Sequence, residues 1–228
     1  MVTFPFVPVG KVSVTYDWQS KNKEFENKSV QYMRRRIHAA KSYSFKVRGK
    51  DLNKLITFYN NHRGQLDTFS FAYDGQIEVC RFSNSLNPTL YREGGRTVGF
   101  ECEIGLLVEG VTTVYPAPAE TDLLPPLKNA VTKTYDWETG AVTYGVKTDY
   151  RLVRTKPKVT ISGKWAGKKQ DRDTIIKLFN SHSRKPASIR YEGEIIKVIM
   201  PDKLVITDLR ETGTVVGFEC SVDLEVVS

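Results

Sequence analysis

The chain has 228 residues, 40% of them hydrophobic and 26% charged, with a formal net charge of +8 at pH 7. This is the balance of a folded globular protein, long enough for one large domain or two small ones. No apolar run approaches the length of about eighteen residues that a membrane-spanning helix needs, so none is expected. The three cysteines, Cys80, Cys102 and Cys220, form neither a disulfide framework nor a CxxC metal pair.

The chain opens with MVTFPFVPVGKV, which lacks a basic leader and a small-residue cleavage site and so does not read as a signal peptide. Synthesis and folding in the cytoplasm are expected. Residues 1–10 read as an N-terminal arm, restricted by its prolines to an edge strand or extended coil and suited to adding to a neighbour's sheet edge. A first strand ends in TYDW at residues 15–18. The next stretch, residues 31–50, carries seven Lys or Arg and no acid. In DLNKLITFYNNHRG, Leu52, Leu55, Ile56 and Tyr59 follow helical spacing, with Asp51 as N-cap and Gly64 as stop. Two strands follow around Tyr73-Asp74-Gly75. A Gly94-Gly95 hairpin turn then leads into a closing strand that begins VGFEC, residues 98–102. Alternation places Val98, Phe100, Cys102 and Ile104 on its core face and Glu101 and Glu103 outside.

The same phrases then recur. TYDW returns at residues 134–137, an offset of 119, and VGFEC at residues 216–220, an offset of 118. Residues 36–50 lie against 154–168, Tyr73-Asp74-Gly75 against Tyr191-Glu192-Gly193, and Arg92-Glu93 against Arg210-Glu211, all at 118. One offset in so many places marks a tandem duplication. Repeat 1 takes residues 11–114 and repeat 2 residues 128–228. Residues 115–127 hold four of the ten prolines and read as a stiff linker. In the second copy Ile175, Leu178 and Phe179 repeat the helical stripe, with Asp171 or Asp173 as cap. Thr212-Gly213 stands for the hairpin turn, and Val216, Phe218, Cys220, Val222 and Leu224 share the core face. Each unit reads as three strands, a helix and three strands. The expected fold is mainly β (α+β): two tandem antiparallel β-sandwich or barrel domains, each with one flanking helix.

Chemical motifs are lacking. There is no HxH or HxxxH pair, GxSxG elbow, Walker A loop or GxGxxG turn. His38, His62 and His182 do not cluster in sequence, and the last two fall near helix C-termini, where a protonated imidazole suits the helix dipole. Cys102 and Cys220 read as small core residues. Glu101 with Glu103, and Asp223 with Glu225, read as solvated strand faces. No catalytic, cofactor or metal residue is assigned, and an enzyme is not expected. Residues 147–169 again carry eight bases and one acid, so each unit reads as having a basic part and an acidic part. One consequence is head-to-tail assembly, basic edge to acidic edge. The alternative is nucleic-acid binding by tandem β-barrels, with Tyr32, Tyr43 and Trp165 near the bases.

The run LITFYNNHRGQLDTFSFAYDGQIEVCRFSNS, followed by VGFECEIGLLVE, resembles the phage minor tail protein M family and the wider distal tail proteins of long non-contractile tails. The resemblance covers residues 46–110 and recurs more weakly at 164–227, where His182-Ser183-Arg184-Lys185 stands in place of His62-Arg63-Gly64. It implies a β-sandwich or barrel with a flanking helix and a structural role in the virion tail. The expected function is a ring-forming distal tail or adaptor component that joins the tail tube to the tail tip or hub around the DNA channel. The implied partners are further copies of the chain, the tail tube protein, tip or hub proteins and the tape measure protein, with DNA passing through the lumen. A hexameric ring is preferred. The other arrangement is a trimer whose duplicated units give a pseudo-sixfold ring. In either, outward acids such as Glu101, Glu103 and Glu219 would line the channel and repel DNA.

Overall fold

A computed structural model describes residues 2–19, 21–24, 30–33, 39–110, 123–137, 139–144, 147–152, 156–182, 185–211 and 214–227. His38, residues 115–122 of the linker, Thr212-Gly213 and the side chain of Tyr32 lie outside the described residues. Repeat 1 runs β1 (Val9–Asp17), β2 (Lys21–Glu24), β3 (Val30–Met33), β4 (Ala40–Gly49), α1 (Leu52–Asn61), β5 (Phe69–Tyr73), β6 (Gln76–Phe82), β7 (Thr89–Glu93) and β8 (Arg96–Val108). A short β9 (Leu123–Leu124) precedes repeat 2, which runs β10 (Lys128–Asp136), β11 (Thr139–Tyr144), β12 (Lys147–Leu152), β13 (Lys158–Gly167) and α2 (Lys169–His182). It ends with β14 (Ala187–Tyr191), β15 (Glu194–Ile199), β16 (Lys203–Glu211) and β17 (Thr214–Val226). The fold is mainly β, with two helices among the described residues, where each repeat shows four strands on either side of its helix rather than three.

The two repeats share a strand plan. Repeat 1 orders its strands β5-β6-β8-β4-β1, with β7 on the first half of β8; repeat 2 orders them β14-β15-β17-β13-β10, with β16 on the first half of β17. The two plans fuse into one open sheet, because β1 also pairs antiparallel with β16, from Val12 opposite Asp208 to Asp17 opposite Lys203. The hairpins β2–β3 and β11–β12 form two small separate sheets.

The repetition of VGFEC has a steric reason. A Cβ on Gly99 would lie 3.2 Å from the carbonyl oxygen of Gly49, and one on Gly217 would lie 3.0 Å from that of Gly167. Strand β4 or β13 runs so close to the closing strand that both copies need glycine there. Phe100, Cys102 and Ile104 face the core as alternation requires, and so do Phe218, Cys220, Val222 and Leu224. Val98 and Val216 do not. The ladder steps from Tyr91/Gly99 to Arg92/Thr97, and from Leu209/Gly217 to Arg210/Val215, so each valine is the extra residue of a β-bulge and turns outward.

The helices follow the sequence with two departures. The Asp51 side chain caps α1 by accepting from Lys54 N at 3.1 Å, and Gly64, at φ +67°, ends the turn by donating to Tyr59 O. Leu55 and Phe58 are buried, whereas Ile56 is exposed. Helix α2 begins at Lys169, ahead of both expected caps, and Asp171 sits in its first turn against Gly167. His62 and His182 are buried, each with Nδ1 near the carbonyl four residues back, Phe58 O at 2.8 Å and Leu178 O at 3.0 Å. A carbonyl only accepts, so Nδ1–H donates and satisfies a last-turn oxygen.

The arm packs on its own repeat. Thr3 bridges Ser70 in parallel, Phe4 N donates to Ser70 O at 2.8 Å, and the Phe4 ring lies among Phe45, Phe58, Phe69, Phe71 and Phe82. The expectation that the arm reaches a neighbour's edge gives way to this burial. Repeat 2 has the matching feature, because β9 runs parallel to β14 with Leu123 opposite Ser188. Residues 123–127, read as linker, therefore join a core: Leu124 is buried, and Pro125 O accepts Trp165 Nε1–H at 2.8 Å.

Candidate functional site

The joint between the repeats is built from β1 and the β5–β6 turn of repeat 1 and from β16 and α2 of repeat 2. Alternation along KLVITDLRE turns Leu204, Ile206 and Asp208 inward. The Asp208 side chain is fully buried and accepts from Tyr73 OH at 2.6 Å and Arg172 Nη1 at 3.0 Å, both on Oδ2. Arg172 stands on the inner stripe of α2, one turn before Ile175 and Ile176. Its Nη2 reaches Asp74 Oδ2 at 2.6 Å, and Lys169 Nζ reaches the other Asp74 oxygen at 2.7 Å. Asp173 completes the set at 2.9 Å from Arg172 Nη2. Repeat 1 thus supplies Tyr73 and Asp74, and repeat 2 supplies Asp208, Arg172 and Lys169.

Local geometry explains why Tyr73 and Asp74 reach across. Asp74 and Gly75 both have positive φ, 51° and 78°, as a two-residue hairpin turn requires, which aims the turn at α2. Burial opposes the charge of Arg172, but its hydrogen bond to Asp74 and the field of Asp208 outweigh that and raise its pKa. Burial likewise opposes the Asp74 charge, but hydrogen bonds from Lys169 and Arg172 hold its pKa below the ordinary carboxylate value. The Tyr73 phenol is pushed up by burial and then by its bond to Asp208. Arg210 adds two links: its guanidinium lies 5.3 Å from the Tyr73 ring centroid, and Nη1 donates to Pro8 O at 3.2 Å.

A cleft of about 330 Å³ opens over this joint. On its repeat 1 side Glu78 takes Lys41 Nζ at 2.7 Å and Tyr43 OH at 2.6 Å. The carboxylates lining it, Asp74, Glu78, Asp173 and Asp208, all accept from Arg, Lys or Tyr. As chemistry the arrangement is a clamp between repeats. Among the described residues no group of three or more His, Cys, Asp or Glu could hold a metal ion. Burial pushes the Cys80 and Cys220 thiols up to about 12, which suits core residues.

The repeated TYDW motif sits in two environments. Tyr16 is 7% exposed and Trp18 4%, whereas Tyr135 is 57% exposed and Trp137 46%. Tyr16 pairs with Leu204 of β16, and the Trp18 ring lies 6.3 Å from Phe179 of α2. The first copy is therefore buried by repeat 2, and the second copy has no such cover among the described residues.

Three of the outward acids meet bases within their own repeat, and Glu103 accepts from Ser44 Oγ at 3.1 Å. Lys46 Nζ and Arg48 Nε hold Glu101 at 2.8 and 2.6 Å, which lowers its pKa to about 2. Lys164 holds Glu219 and Lys158 holds Glu225, each at 2.9 Å. Among the described residues, bases of β4 lie beside acids of β8, and bases of β13 beside acids of β17; Arg34, Arg35, Arg36 and Arg154 lie outside the described residues. Tyr43 and Trp165 are core residues. Sequence reasoning did not single out Arg172 and Asp208. The available signal was a charge inside an apolar stripe on each of two elements. Scans of protein-family models and of curated proteins gave no match to this chain.

Proposed function

We propose that this chain is a structural phage tail protein, a ring-forming distal tail or adaptor component between the tail tube and the tail tip or hub. The observation that carries the reading is the edge-to-edge joining of two like β units into one sheet, which is the geometry of a repeating assembly. The resemblance of residues 46–110 to minor tail and distal tail proteins supplies the biological setting. The buried groups at the joint act as a clamp between units, which accords with a structural role.

Co-expression with a tail tube protein of a long non-contractile tail tests the reading. The expected result is tube ends capped by this chain in negative-stain images, with the chain absent from the tube wall. Tubes whose ends stay bare, together with binding of the purified chain to a DNA fragment that weakens steeply with salt, would replace it with the nucleic-acid reading.

A further inference from the structure

An uncovered strand edge is a template for another chain. In the main sheet the flank of β5 is covered by residues 2–4, that of β14 by β9, and that of β1 by β16. Among the described residues β10 pairs only with β13, and β7 only with β8. These two strands are the counterparts of the pair that joins the repeats. Strand β10 is repeat 2's copy of β1, both ending within TYDW and both bulged against the following long strand. Strand β7 is repeat 1's copy of β16, since Leu90 opposes Phe100 as Asp208 opposes Phe218.

We infer that β10 of one copy adds antiparallel to β7 of the next copy and so repeats the β1–β16 joint between chains. Three features of the surface carry this. All five residues of β7 are exposed, whereas β16 buries Leu204, Ile206 and Asp208. Tyr135 and Trp137 are exposed where Tyr16 and Trp18 are buried. On the stripe of α2 beside the joint Asn180 is buried and Ile176 half-buried, whereas their counterparts on α1, Asn60 and Ile56, are exposed. Matching His62 with His182, which make the same last-turn bond, sets Leu52 at the Arg172 position, and Leu90 stands at the Asp208 position, so the exposed version of the interface is apolar at its centre. The in-chain register carries over directly. Ser13 opposite Thr207 becomes Thr132 opposite Thr89, and Val12 opposite Asp208 becomes Val131 opposite Leu90. The in-chain ladder spans Lys203–Asp208, so its counterpart spans residues 85–90; Pro88 falls at the Ile206 position and removes one donor, which leaves Thr89 and Leu90 as the residues of β7 that the ladder takes.

The contact is heterologous: one edge of each copy meets a different edge of the next, so assembly continues until the rotation closes it. Ring closure rests on the function proposed above, whereas the edge pairing stands on the joint alone. Full-length Thr89→Cys/Thr132→Cys protein under a mild oxidant should give a ladder of covalent multimers on non-reducing gels. Each single variant, and Thr89→Cys combined with Lys133→Cys, whose side chain leaves by the other face, should stay monomeric on the same gel. Tyr135→Glu/Trp137→Glu should abolish high-mass species in native mass measurements and leave the monomer folded by circular dichroism, because both side chains are exposed. A covalent dimer from Thr132→Cys alone would mean β10 pairs with itself and would overturn the proposal. A monomer at high concentration that does not cross-link would overturn it too. Rings that survive Tyr135→Glu/Trp137→Glu would keep the ring and reject this interface, whereas open filaments that cross-link as expected would keep the interface and reject the ring.

Discussion

Replacing the buried ion pair at the joint with the residues found at its counterpart positions gives a sharp test of the packing argument. Asp208→Leu removes the acceptor of two buried bonds, from Tyr73 at 2.6 Å and Arg172 at 3.0 Å. It leaves the Tyr73 hydroxyl unpaired and Arg172 with Asp74 and Asp173 only. Breaking a buried pair on one side costs about 3–5 kcal/mol, and the two acids that remain put this change at the low end. Arg172→Leu is the harsher change, because Asp208 has no exposure and would keep only Tyr73. A loss of about 4 kcal/mol is expected. The double change copies Leu52 and Leu90 and removes both charges together. Such replacements range from neutral to stabilising, so the double variant should lose less than about 2 kcal/mol, mostly from the Tyr73 hydroxyl. Urea unfolding of the wild type, both singles and the double closes the cycle. Additive losses, with the double near 7 kcal/mol down, would refute the view that the two charges matter chiefly to each other.

Acid should weaken the fold in a defined window. Glu101, held at about 2, and Asp74, also lowered, each contribute stability above their ordinary carboxylate values that is lost as pH falls through the folded-state values. Urea midpoints should therefore drop between about pH 4.5 and pH 2, and Asp74→Asn should flatten part of that drop; an unchanged profile would count against the Asp74 contacts. Gly217→Ala places a methyl 3.0 Å from a backbone oxygen and should cost about 1–3 kcal/mol in urea unfolding, with Gly99→Ala, at 3.2 Å, costing less. Phe4→Ala empties the centre of an aromatic cluster and should cost about 3–5 kcal/mol, whereas a free arm would lose almost nothing.

The duplication, the helices and the closing strands were legible because like positions do like work in both copies. Gly99 and Gly217 both meet a glycine carbonyl, and the turns at Gly75 and Gly193 both need positive φ. Period-two alternation identified the buried faces of β8 and β17 but failed at Val98 and Val216, where a bulge shifts the phase by one residue. The joint was not legible. Alternation tells which face of β1 is buried and is silent on which strand lies beside it, and β16 comes from the far end of the chain. The charges at Arg172 and Asp208 each break an apolar pattern, yet only the folded chain brings the two breaks to 3.0 Å. The two copies of TYDW are alike in sequence and opposite in exposure, a difference set by what lies next to each.

The most direct test of the assembly claim is native mass of the purified full-length chain at low and moderate salt, with negative-stain images of the same samples. The account predicts a closed ring with a central hole, about 155 kDa for six chains of 25.9 kDa. A ring of about 78 kDa, three chains carrying six repeats, would keep the account and select the pseudo-sixfold arrangement. A monomer at every concentration and salt would contradict it.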